Sequence, residues 1–64
     1  MSIEILKYLS DKIREEQRVI EENMAMGQAK DFGDYKYASG IYRGLLRANN
    51  LINEMKERME KDDD

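Results

Sequence analysis

The sequence predicts an all-α fold, an antiparallel two-helix hairpin completed by oligomerisation into a helical bundle. Three observations predict it. Two long stretches carry apolar residues at helical spacing, one short glycine-containing connector separates them, and the apolar surface of the second stretch is too wide for a single neighbouring helix. At 64 residues, without proline, cysteine or histidine and with 39% charged residues, the composition is that of long helices. It is also near the size at which one core supplies only about 3 to 5 kcal/mol unless it is stapled or oligomeric.

The first helix is expected over residues 3–25. Ile5, Leu6, Leu9, Ile13, Ile20 and Met24 fall on one face, opposite Glu4, Lys7, Asp11, Arg14, Arg18 and Glu22. Ser2 is positioned to cap it, and Glu4 adds favourable charge at its positive end. Gly27 breaks the pattern, so residues 26–31 are read as the turn, with Asp31 as the cap of the next helix. The second helix is expected over residues 32–60, followed by an acidic tail over 61–64 that opposes the helix's negative end. A connector this short folds the helices back on each other, pairing positions that sum to about 61. The whole chain, 1–64, is read as one hairpin.

Within the second helix, Ala38, Ile41, Leu45, Ala48, Ile52, Met55 and Met59 recur in steps of three and four, the spacing of a packing seam. Gly40 and Gly44 lie inside this run, and each costs roughly 1 kcal/mol relative to alanine in a helix. Their presence predicts a close helix contact, so Gly40, Ile41, Gly44, Leu45, Ala48 and Ile52 form the expected helix-packing seam. Whether that seam closes within one chain or between chains is left open by the pattern. Leucine at Gly44 is expected to overpack the contact and to destabilise more than alanine does. Asn49 stands at the seam's edge, where a buried amide fixes register at some cost in stability.

The apolar surface between residues 35 and 46 spans roughly 240°, where a seam needs about 100°. Its flank, Tyr35, Tyr42 and Leu46, is the candidate partner surface, since tyrosine combines apolar area with a polar tip. Charge adds a second candidate. The chain is net −3, yet residues 27–48 hold four cations against two carboxylates, and Lys36, Arg43 and Arg47 form a line that offers a basic contact to nucleic acid or an acidic partner. No stacking aromatic pattern or DNA-binding motif accompanies it.

The inventory argues against an enzyme. Histidine and cysteine are absent, and no pair of carboxylate motifs has the spacing of a metal-holding bundle, so no catalytic, cofactor-binding or metal residues are assigned and no small-molecule substrate is expected. The apolar residues near the N-terminus are interrupted by Glu4, Lys7 and Asp11, unlike a signal peptide or a membrane span.

Three short stretches carry a resemblance: Gly27-Gln28-Ala29-Lys30-Asp31-Phe32, then Tyr35-Lys36-Tyr37, then Gly40-Ile41-Tyr42-Arg43-Gly44-Leu45. Together they resemble small, largely uncharacterised helical-hairpin proteins of tailed bacteriophages. The resemblance covers about a third of the chain and consists of helical packing motifs. It implies a phage origin, hence the cytoplasm of an infected bacterial host or the virion, and transfers no catalytic residue. The function expected is that of a non-enzymatic structural or assembly protein acting through helix–helix contacts, by self-association or on a larger protein assembly. The alternative is a small regulatory binding protein that contacts a host protein or nucleic acid through the basic middle.

Overall fold

A computed structural model describes residues 2–62. They form α1, Ile3–Ala25, and α2, Phe32–Asp62, packed side by side as a hairpin. The molecule is a rod of 51 × 15 × 15 Å with a radius of gyration of 14.9 Å. A compact domain of this length has a radius near 11 Å, so the hairpin is a single layer with no second layer over it.

Local chemistry sets the ends of the helices. Ser2 has extended backbone, and its hydroxyl accepts a hydrogen bond from the Ile5 N–H at 3.2 Å, satisfying one of the orphan donors of the first turn. At the other end, Gly27 takes a φ of +71°, open to glycine at little cost. Its N–H donates to the Met24 carbonyl, and the Gln28 N–H donates to that of Asn23, the paired bonds of a Schellman stop. The Asp31 carboxylate then accepts from the Asp34 N–H at 2.8 Å, and Asp34 accepts from the Lys30 N–H at 3.1 Å. The Asp31 cap, with Asp34 holding the residue before it, starts α2. Its helix continues to Asp62, past the expected end at 60; Asp63 and Asp64 of the acidic tail lie outside the described residues.

The seam between the helices differs from the expected one in rotation. On α1 the buried residues are Leu6, Ser10 and Gln17, with Ile13, Ile20 and Met24 half-buried beside them. Ile5 and Leu9, expected in the seam, are exposed. On α2 the covered line is Ala38, Tyr42, Leu45, Asn49, Ile52, Lys56 and Met59. It shares Ala38, Leu45, Ile52 and Met59 with the expected heptad but replaces Ile41 and Met55, which are exposed, by residues one position on. Ala48 is half-buried at its margin.

The physical reason lies in polar pairing. Asn49 is 6% exposed, and its side-chain carbonyl accepts a 2.6 Å hydrogen bond from the Ser10 hydroxyl. The Tyr42 hydroxyl donates to the Glu21 carboxylate, also at 2.6 Å. Helix α1 covers the stripe whose polar atoms it can satisfy. Helix α2 carries two overlapping heptads, and of the residues peculiar to the more apolar one, Ile41 and Met55 are turned outward. The two cross-helix bonds, Ser10–Asn49 and Tyr42–Glu21, pair positions that sum to 59 and 63, on either side of the expected value of about 61.

Gly40 and Gly44 do not receive α1. A Cβ built on either meets nothing within 4 Å, so the expected close approach and the overpacking by leucine at Gly44 do not occur within one chain. Among the described residues, Leu6 is the one hydrophobic side chain that the hairpin buries.

Candidate functional site: an uncovered apolar face

The two edges of the hairpin have different chemistry. One edge holds a groove lined by Glu21 and Met24 of α1 and by Ser39, Tyr42 and Arg43 of α2. Tyr42 is half-buried here, and its bond to Glu21, helped by burial and by the carboxylate's charge, raises its pKa above the usual value of 10.0. The opposite groove, with a volume of about 220 Å³, is lined by Ile20, Asn23 and Met24 of α1 and by Asp34, Tyr37 and Ala38 of α2.

That second groove identifies which stripes of the helices share a face. Seven-residue steps from Asn23 run back to Glu16 and Leu9, and the adjoining row holds Val19, Lys12 and Ile5. On α2, steps from Tyr37 reach Gly44 and Leu51, and the adjoining row holds Ile41, Ala48 and Met55. The face so formed is apolar along α2 and apolar at both ends of α1. Ile5 is 52% exposed, Val19 48%, Leu51 47% and Met55 48%. Monomeric proteins seldom leave so many large apolar side chains in one contiguous patch, and such patches mark contact sites.

The residues singled out from sequence are distributed over this frame. Of the expected seam, Leu45, Ala48 and Ile52 are half-buried, whereas Ile41 and Gly44 belong to the uncovered face. Gly40 lies on the outer side of α2, with open space around it. Tyr35 is 49% exposed with its ring stacked on Phe32 at 6.4 Å between centroids, Leu46 is 44% exposed, and Tyr42 is half-buried with its hydroxyl engaged by Glu21. The larger apolar face, carrying Ile5, Leu9, Val19, Leu51 and Met55, is the one the sequence reading did not single out. Part of its signal is present, since Ile5, Leu9 and Met55 belong to the expected apolar faces, whereas Val19 and Leu51 belong to neither.

Lys36, Arg43 and Arg47 are exposed, and the Lys36 ammonium sits 5.8 Å from the Phe32 ring centroid, within cation–π range. Lys12 forms a surface ion pair with Glu15 at 3.4 Å and Arg18 one with Glu22 at 3.9 Å; both are of the exposed kind that adds little to stability. Among the described residues, no group of three or more histidine, cysteine, aspartate or glutamate side chains is placed to hold a metal, and no helix is long and apolar enough to cross a membrane. The chain matches no protein-family model, and comparison with curated proteins and with solved structures finds no match.

Proposed function

We infer that this chain is a non-enzymatic structural or assembly protein that acts through helix–helix contacts and becomes a complete helical bundle only on association. The observation that carries this reading is the uncovered apolar face along α1 and α2, beside a hairpin seam whose buried residues are Leu6, Ser10, Gln17 and Asn49. A layer of two helices with one apolar face outward buries that face against another layer. The resemblance of residues 27–45 to tailed-phage proteins supports placing the assembly in a virion or in the cytoplasm of an infected bacterial host. The test is association of the wild-type chain, with itself or with a protein recovered from a phage lysate, compared with that of Leu51→Glu. The charge in the middle of the face abolishes association while helicity is kept. A chain that stays a monomer and recovers no phage or host protein contradicts this reading.

The exposure of Lys36, Arg43 and Arg47 favours a second reading, a regulatory binding protein that touches nucleic acid or an acidic host partner. Salt-dependent retention on DNA, lost when the three are reversed in charge, supports that reading; absence of retention on DNA and on host lysate removes it.

A further inference from the structure

The uncovered face is self-complementary along its length. The two cross-helix bonds pair positions summing to 59 and 63, so positions summing to 60 lie within about one helical rise of level, ~1.5 Å. Ile5 is then level with Met55, Leu9 with Leu51, and Val19 with Ile41. Between them, Lys12 is level with Ala48 and Glu16 with Gly44. The two long charged side chains of the α1 stripe therefore stand at the height of the two smallest residues of the α2 stripe. Within one chain this match packs nothing, because the space over Gly44 is open.

A two-fold axis parallel to the rod keeps every level and exchanges the helices. It lays Ile5 on the partner's Met55, Leu9 on the partner's Leu51 and Val19 on the partner's Ile41. The stems of Lys12 and Glu16 cross the partner's Ala48 and Gly44 and carry their charges out to the rim. A two-fold axis running across the helices instead stacks α1 on α1 and α2 on α2, and the small residues Gly44 and Ala48 then face the partner's α2 instead of the stems of Lys12 and Glu16. The exposed area is sufficient for such an occupant. The chain exposes 5339 Å², whereas a compact monomer of 7.6 kDa exposes about 4,300 Å². The excess, about 1,000 Å², is close to the roughly 800 Å² that each partner contributes to a stable interface of standard size.

We propose that the uncovered face takes a second copy of this chain, related by a two-fold axis parallel to the helices, so that α1 of each copy covers α2 of the other in a four-helix bundle. This rests on the assembly reading above and gives it a partner.

The native chain has no cysteine, so single cysteines report the geometry without background. Full-length Leu9→Cys and Leu51→Cys are mixed before refolding and mildly oxidised, with helicity checked by circular dichroism; Ile5→Cys with Met55→Cys is the second pair. The mixed pairs give a disulfide-linked heterodimer at least about tenfold faster than any one variant gives a homodimer, and Ala48→Cys alone links slowly. Faster self-linking of Ala48→Cys puts α2 on α2 and overturns the proposed axis. Self-linking of Leu46→Cys, on the other edge, overturns the proposed face. In both cases the chain still associates, so the assembly reading survives. A monomeric wild-type mass at every concentration overturns the second copy outright, while the assembly reading then rests on recovery of a different phage or host protein.

Discussion

Asn49 holds the register of the hairpin, because it is buried at mid-length of α2 and its partner, Ser10, lies 39 residues away in the chain. Asn49→Ala leaves the Ser10 hydroxyl buried and unpaired and is expected to lower stability by about 1–3 kcal/mol in urea unfolding. Adding Ser10→Ala recovers part of the loss, which a double-mutant cycle measures. Tyr42 ties the other edge through Glu21, and this bond predicts a pH dependence. Its folded pKa lies above the unfolded value near 10, so its contribution is fully present below pH 10 and is lost as pH rises through the folded pKa. Tyr42→Phe is expected to flatten that alkaline fall in stability, read by thermal unfolding across the alkaline range. Gly40 and Gly44 separate packing from propensity. Gly40→Ala gains about 1 kcal/mol of helix stability, since nothing surrounds that position. Gly44→Leu leaves the isolated hairpin folded but weakens association, because its side chain fills the space assigned to the partner's Glu16.

At the scale of the elements, the ends of the helices follow from single residues. Gly27→Ala places a Cβ at a φ of +71° and is expected to cost about 1–2 kcal/mol, measurable as a lowered melting temperature. The Ser2 cap, the Gly27 stop and the Asp31 cap are legible in the sequence because each is a local bond between residues at most five positions apart. The pairing of the helices is less legible. Periodicity shows that α2 has an apolar stripe through Ala38, Leu45, Ile52 and Met59, but two heptads share those four residues. Hydrophobicity favours the one through Ile41, Ala48 and Met55. The hairpin uses the one through Tyr42, Asn49 and Lys56, because Ser10 and Glu21 satisfy the Asn49 and Tyr42 polar atoms, and those partners lie 39 and 21 residues away. The uncovered face was missed for the same reason: Ile5, Leu9, Ile41 and Met55, placed on the packing faces by periodicity, are the residues left exposed.

For the whole molecule, the central claim is that a rod of one layer, 51 Å long and 15 Å thick, is half of a bundle. Its seam carries the polar residues Ser10 and Asn49, and its outer stripe carries exposed apolar area that, on the proposed assembly, a second layer would cover. This division makes the fold of the hairpin and the association of hairpins separable by substitution. Substitutions at Ser10 and Asn49 are expected to act on register, and those at Leu51 and Gly44 on association. The most direct measurement is solution mass by light scattering during size-exclusion chromatography, over a hundredfold range of concentration, for the wild type and for Leu51→Glu. The account predicts twice the chain mass for the wild type and a helical monomer for the variant. A folded wild-type monomer throughout the range, or a variant that remains a dimer, would contradict it.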